Sequence, residues 1–255
     1  MLVLFCLRLA AGMLACLLVL SPAEVNPRFF RTHFVVAFGL AALAGVFARD
    51  TGSTAMLATL LAGIALCLAG FLVWGLEEAP LGRPLIVATA VVLAAALLQA
   101  DLPPAGQPQA ATPAWALLAD NITSALLLGA ATTAMLMGHS YLIAPAMSLT
   151  PLTRLLLVLF AATFLRTALA GLALYGWAWT GGHSLLNLED ENVLWLPLRW
   201  GLGLVAPLVL GWMAWQTARI RSTQSATGIL YVVVIFCFLG ELTAQLLQAN
   251  TGYTM

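Results

Sequence analysis

Apolar residues fill this chain in long, uninterrupted stretches that are separated by short polar breaks. Each stretch is close to the ~20 residues that an α-helix needs to cross a bilayer at ~1.5 Å rise per residue. A transmembrane β-barrel would instead need segments of about ten residues in which apolar and polar positions alternate. The pattern therefore predicts an all-α fold, a polytopic transmembrane helical bundle in one domain over residues 1–255. The predicted helices, about eight in all, are approximately 2–20, 30–48, 54–76, 84–100, 114–143, 152–180, 194–218 and 226–248.

The seventh predicted helix contains Pro207 between Gly203 and Gly211. Proline cannot donate a backbone hydrogen bond to the carbonyl four residues earlier, here that of Gly203, so we expect a kink. Within a membrane the freed carbonyl must find a partner or line a cavity. Two interpretations remain open at this position, a pocket beside Pro207 and a simple packing kink.

The composition excludes an ordinary soluble domain. The chain is 62% hydrophobic and 8% charged, whereas about a quarter of the residues in a soluble domain are charged. Lipid is therefore the expected surrounding, and nucleic acid is not an expected partner because no basic stripe exists to neutralise phosphates. The cysteines lie within apolar stretches, without the spacing of a zinc or redox motif, and are predicted to be small core residues. They are Cys6, Cys16, Cys67 and Cys237.

The loop arginines are distributed unevenly between the two predicted sides of the membrane. One side contains Arg28, Arg31, Arg83, Arg154, Arg219 and Arg221. The other side contains Arg49 together with Asp50, Asp101, Glu189, Asp190 and Glu191. Because short cytoplasmic loops are enriched in basic residues, we expect a multi-pass protein of the cell inner (plasma) membrane with both termini outside. Residues 1–20 lack a basic leader and are interrupted by Arg8, so we expect a retained helix rather than a signal peptide.

Ionisable residues also occur inside the predicted helices, where burial in hydrocarbon is costly and usually demands a partner. Arg8, Asp120, Arg199 and Glu241 are each expected about five to seven residues from the outer end of their helix, and Arg166 lies near the middle of the sixth. One interpretation is a structural ion-pair network. The other is an outward-opening polar pocket in which a carboxylate exchanges protons with a ligand.

Glu241 is the stronger candidate for the proton-exchanging carboxylate. Gln245 and Gln248 follow it at four and seven residues, and residues with this spacing share one face of a helix. The result is a polar stripe that leads from Glu241 toward the outer surface. We expect Gln245 to contribute to the same site as Glu241.

Two histidines are expected near the cytoplasmic side, His33 at the start of the second helix and His139 near the end of the fifth. Together they could be axial ligands of a b-type haem, or His139 could hydrogen-bond a quinone carbonyl. The alternative is that each histidine is satisfied by a neighbouring carbonyl or hydroxyl. The remaining histidine, His183, lies in a predicted outer loop, and no other metal site is expected.

The last helix contains the segment Phe238-Leu239-Gly240-Glu241-Leu242. With the predicted topology, this segment resembles the quinol-oxidising membrane anchors of the dimethyl sulfoxide reductase and polysulfide reductase type. The resemblance implies a menaquinol site near the outer side and electron transfer to an iron–sulfur partner subunit. It also implies that Glu241 and Arg199 line the quinol pocket.

These observations favour an integral membrane subunit of a respiratory or electron-transfer complex. Quinone or quinol is the expected ligand, in a pocket near Glu241, Arg199, Arg166 and Asp120. Short loops leave little aqueous mass, so we expect other protein subunits as partners and a subunit of an oxidoreductase rather than an enzyme on its own. Two alternatives stay open, an ion- or proton-coupled transporter or channel and a structural or assembly subunit without its own ligand.

Overall fold

The computed structural model describes residues 1–50, 52–76, 79, 81–101, 114–144, 147–181 and 190–251, and within these ranges the fold is helical without strands. The predicted all-α class is therefore confirmed. The helices are α1 (Leu2–Leu17), α2 (Pro27–Ala48), α3 (Thr54–Val73), α4 (Gly82–Asp101), α5 (Ala114–Ile143), α6 (Thr150–Gly181), α7 (Asp190–Trp200), α8 (Ala206–Arg219) and α9 (Thr223–Thr251).

Seven spans of the described chain are long and apolar enough to cross a membrane, and one of them runs from α7 into α8. The first helix, α1, is apolar but shorter, with 16 residues. It ends at Leu17, before the predicted end at residue 20, and turns follow it. The protein is thus a multi-pass membrane protein with a helical bundle, as the apolar stretches predicted.

The helices form two rings. In the first ring α1 packs against α2, α2 against α3, α3 against α4, and α4 returns to α1. In the second ring α5, α6, α8 and α9 close in the same way. The rings are joined along α1 and α5, which places α1 in the interior despite its short length. Leu7, Ala10, Met13 and Leu14 of α1 are fully buried as a result.

Glycines allow α1 and α5 to approach closely where they cross. A Cβ added at Gly12 would lie 1.8 Å from the carbonyl oxygen of Ala125, and one at Gly129 would lie 2.1 Å from the carbonyl carbon of Gly12. Small residues permit such backbone contact in membranes, where packing replaces the hydrophobic effect as the driving force. This crossing fixes the position of α1 relative to the second ring.

The span that contains α7 and α8 is interrupted by a π-helical turn at Gly201–Val205, immediately before Pro207 in the first turn of α8. The interruption predicted at Pro207 therefore takes the form of a π turn, one of the usual causes of helix kinks. The space beside Gly203 is filled by α9, since a Cβ on Gly203 would lie 2.6 Å from the Cα of Gly240. The sequence left open a pocket or a packing kink at this position. On the side of Gly203 that faces α9, the structure shows close packing.

Contacts between helix ends define one face of the bundle. Arg83 at the start of α4 donates to the carbonyl of Leu18 at 3.3 Å, and Arg154 of α6 pairs with Glu24 at 3.1 Å. We call this end the arginine-rich face; its arginines are Arg28, Arg31, Arg83, Arg154, Arg219 and Arg221. The other end is called the opposite face. Which face is cytoplasmic stays a prediction from the loop arginines.

Candidate functional site

Four charged side chains from four helices meet inside the bundle, at the junction of the two rings. They are Arg8 of α1, Asp120 of α5, Arg166 of α6 and Glu241 of α9. Their exposed fractions are 0%, 3%, 3% and 2%, so charge must be neutralised within the protein. The polar cluster is defined here as these residues together with Asn121, Ser124 and Gln245.

Arg8 connects the cluster. Its Nη2 donates to Asp120 Oδ2 at 2.7 Å, its Nε donates to Asn121 Oδ1 at 2.9 Å, and its Nη1 donates to Glu241. A guanidinium carries several donors in a rigid planar fork, so one side chain can satisfy three acceptors at once. In this way α1 is tied to both α5 and α9.

Arg166 completes the neutralisation. Its Nη1 donates to a carboxylate oxygen of Asp120 and, at 3.1 Å, to the backbone carbonyl of the same residue. Its Nη2 lies 3.7 Å from Glu241 Oε2. Each carboxylate therefore contacts both Arg8 and Arg166, and two positive and two negative groups balance.

Glu241 has further partners in two neutral side chains. The hydroxyl of Ser124 donates to its carboxylate, and Gln245 Nε2 donates to Oε1 at 2.8 Å. The structure thus brings Gln245 onto Glu241, in keeping with their shared helix face. Arg199 is also buried, with 1% exposed, and its Nη1 donates to the carbonyl of Gly240 at 3.1 Å. Arg199 therefore contacts the backbone beside Glu241, and the Glu241 carboxylate forms ion pairs with Arg8 and Arg166.

A chain of hydrogen bonds leads out of the cluster to the last residue of α4. Asn121 accepts from Arg8 and donates from Nδ2 to Asp101 Oδ2 at 2.6 Å. Asp101 is half-buried. Glu241, Arg8, Asn121 and Asp101 are therefore linked in series between the interior and the end of α4.

The sequence indicated Gln245 but did not reveal the other two neutral members of the cluster, Asn121 and Ser124. Asn121 and Ser124 lie in a largely apolar helix. Only their hydrogen bonds in the structure distinguish them from other small polar residues of α5. Adjacent residues on a helix normally face different directions, so Asp120 gave no reason to include Asn121. Asp101 was expected in a loop, whereas it ends α4 and faces the cluster. The one available signal was that Asp120, Asn121 and Ser124 fall within a single turn and a half.

Two buried polar atoms at the cluster have no hydrogen-bond partner among the described residues. They are Gln245 Oε1, an acceptor, and Arg166 Nε, a donor. Buried polar atoms are nearly always paired in folded proteins, with protein or with an ordered ligand or water. The cluster can therefore still accept one hydrogen bond and donate another.

An apolar cavity of about 230 Å³ reaches this cluster from the side. It lies between α1, α4 and α5, and Asn121 is the polar residue among the described residues that line it. Leu98, Leu118 and Ile122 line it as well and are themselves exposed, at 38%, 42% and 49%. The opening therefore faces sideways, toward lipid. The sequence had instead predicted a pocket that opens toward the outer side of the membrane.

The two histidines of the sequence prediction line one cavity of about 300 Å³ at the arginine-rich face. His33 is fully buried and its Nδ1 lies 2.8 Å from the carbonyl oxygen of Phe29, while His139 is exposed. His33 and His139 therefore share one cavity, and haem ligation by this pair stays a prediction. His183 lies outside the described residues.

Comparisons of the chain with protein-family models, with curated proteins and with solved structures find no match. Function therefore has to be inferred from the chemistry of the site.

Proposed function

We propose that this protein is an integral membrane subunit of an electron-transfer complex that binds a quinol beside the polar cluster. The observation that carries the proposal is the lateral apolar cavity that ends at Asn121. Sites for small molecules are mostly apolar with a few well-placed polar groups, and a quinol has the matching form of an apolar ring with hydroxyls. The exposed leucines at the opening allow entry from the bilayer.

The polar end of the cavity can receive a quinol hydroxyl. Asn121 Oδ1 accepts one hydrogen bond from Arg8, and a carbonyl oxygen has a second lone pair for another donor. An acceptor at this end of the cavity favours the reduced, hydroxyl-bearing form of the ligand.

Oxidation of a quinol to a quinone releases two protons and two electrons. The electrons go to a partner subunit, which by the resemblance would be an iron–sulfur protein. The protons need an acceptor, and a guanidinium or an amide does not take one up. The carboxylate that can accept them is Asp101, which is half-buried at the end of α4 and accepts a hydrogen bond from Asn121. In this proposal Asp101 passes protons to water, and Glu241 and Arg166 hold the cluster neutral while charge moves.

Equilibrium binding of menadiol to the purified protein under anaerobic conditions tests the proposal. Ala94 lines the cavity, so Ala94→Phe fills it and should weaken binding at least about tenfold, or ~1.4 kcal/mol. Ala58 of α3 is exposed, and Ala58→Phe is the matched control, with affinity equal to that of the wild type. A wild-type protein that does not bind menadiol, or equal affinity in Ala94→Phe, would contradict the proposal.

The π turn favours a second candidate, a proton-coupled transporter. Such turns are rare and are concentrated at functional sites, and this one lies where Gly203 contacts Gly240, next to the Arg199 hydrogen bond. A helix that can convert between π and α geometry would move Arg199 relative to the cluster. Proton flux into proteoliposomes separates the two functions, because a quinol-binding subunit alone should show none.

A further inference from the structure

The cavity at the arginine-rich face takes no part in the proposed quinol site. It lies between the start of α2 and the end of α5 and has a volume of about 300 Å³. Arg28 and His33 are among the polar residues that line it, and Leu136 and Ile143 are among the apolar ones. The cavity has a buried histidine, a basic rim and an apolar wall. Each of these limits the chemical groups that a bound ligand can carry.

His33 provides a hydrogen-bond acceptor deep in this cavity. Its Nδ1 lies 2.8 Å from the carbonyl oxygen of Phe29, and a carbonyl only accepts, so Nδ1 carries the proton of the neutral ring. The lone pair is then on Nε2. This atom is buried, in a residue that is 0% exposed, and has no partner among the described residues. A ligand with a hydroxyl would satisfy it.

The rim of the cavity favours negative charge. Arg28 is exposed there, and the N-terminus of the 22-residue helix α2, capped by Asn26, adds the positive end of a helix dipole. None of the described lining residues is acidic. The neighbouring carboxylate of Glu24 is paired with Arg154, so it does not cancel the charge of Arg28. A phosphate is the anion that suits this position at a membrane surface.

The wall of the cavity continues into the lipid-facing surface. Leu136 and Ile143 of α5 line it, and Ile143 is 79% exposed. Acyl chains attached to a headgroup in the cavity could therefore follow α5 into the bilayer. A neutral quinol would satisfy His33 but would leave the basic rim unused, whereas a phosphate bearing a hydroxylated substituent uses both.

From these three parts we infer that this cavity binds the headgroup of an anionic phospholipid that carries a free hydroxyl, of the phosphatidylglycerol class. The glycerol hydroxyl donates to His33 Nε2, the phosphate lies at Arg28 and the start of α2, and the acyl chains lie against α5. This site is at the other end of the bundle from the polar cluster and does not depend on quinol binding.

Native mass spectrometry of the detergent-solubilised protein with short-chain lipids tests this inference. Phosphatidylglycerol should be retained more strongly than phosphatidylmethanol, which has the charge without the hydroxyl. Phosphatidylmethanol should in turn be retained more strongly than neutral phosphatidylcholine. Equal retention of phosphatidylglycerol and phosphatidylcholine by the wild type would overturn the inference without any variant. Displacement of phosphatidylglycerol by menadiol would identify the quinol as the occupant and would also overturn it.

Variants separate the two recognition elements. His33→Phe removes the acceptor and should reduce retention of phosphatidylglycerol about tenfold, to the level of phosphatidylmethanol, a change of ~1.4 kcal/mol. His33→Gln, which can place an amide oxygen near the former Nε2, should restore the preference. Arg28→Gln should weaken both anionic lipids, while Arg83→Gln, an arginine of the same face outside the described lining, should leave the ranking unchanged. An unaltered preference in His33→Phe would contradict the assigned role of His33.

Discussion

Arg8 connects three helices through one side chain, and the residues around it in the sequence do not reveal which helices these are. An arginine within an apolar stretch was recognisable as a buried ionisable group that needs partners. The sequence placed Asp120 and Glu241 at the same depth in the membrane as Arg8. It did not show that their helices are neighbours of α1. Arg8 is fully buried and hydrogen-bonds the side chains of Asp120, Asn121 and Glu241, so it connects the two predicted carboxylates.

Replacement of Arg8 by methionine should destabilise the protein strongly. Asp120 and Glu241 would lose one of the two guanidinium groups that contact both of them, and removal of one partner from a buried ion pair costs ~3–5 kcal/mol. Denaturant unfolding in detergent micelles measures the loss. Arg49 forms an exposed pair with Asp50, so Arg49→Gln is the control and should change the free energy of unfolding by less than about 1 kcal/mol.

The double variant Arg8→Met with Glu241→Met distinguishes charge balance from loss of packing. It leaves the pair of Asp120 and Arg166, in which one positive and one negative charge remain. The double variant should be more stable than Arg8→Met alone, since the Glu241 carboxylate is then not left buried without its Arg8 partner. If the loss of unfolding free energy in the double variant equals the sum of the losses in Arg8→Met and Glu241→Met, the two residues contribute independently.

At the scale of single helices, the crossing of α1 and α5 depends on backbone contact at Gly12. Apolar stretches and proline positions predict where helices begin and end, because helix ends depend on the local sequence. The π turn at Gly201–Val205 was not predictable in the same way, although Pro207 predicted a kink. Its position coincides with the contact between Gly203 and Gly240, a pairing of distant segments that local sequence does not encode.

Gly12→Ala should lower the free energy of unfolding by ~1–3 kcal/mol or more, the usual cost of overpacking. The added methyl group would meet the carbonyl oxygen of Ala125 at 1.8 Å, so α1 must shift. Gly39 of α2 has nothing within 4 Å of an added Cβ, and alanine is the better helix former. Gly39→Ala should therefore cause no loss, and an equal loss in both variants would argue against a specific crossing at Gly12.

At the scale of the whole molecule, two four-helix rings meet at α1 and α5, and the polar cluster lies at that junction. Seven spans of the described chain have membrane-crossing length, as their apolar stretches predicted, but the ring arrangement did not follow from the sequence. A helix that is apolar all round has no marked face, so the sequence does not tell which side meets lipid and which meets another helix. The lateral cavity between α1, α4 and α5 results from that arrangement and was unpredictable for the same reason.

Orientation in the membrane can be measured with cysteine labelling. The four native cysteines are buried, so background labelling by a membrane-impermeant maleimide should be low. Asp50 and Gln224 are exposed at opposite ends of the bundle. We expect Asp50→Cys to react in intact cells and Gln224→Cys to react only after permeabilisation, because the arginine-rich face should be cytoplasmic. The reverse pattern would invert the predicted topology.

Photolabelling with an azido-naphthoquinone is the most direct test of the quinol site at the polar cluster. After reduction to the quinol, irradiation and digestion, we predict that label is found in peptides of α1, α4 and α5 around Ala11, Leu97 and Leu118, which line the lateral cavity. Excess menadiol should remove this label, and Ala94→Phe should abolish it. Label confined to the cavity at His33, or label at α5 that menadiol does not compete for, would contradict the proposed site.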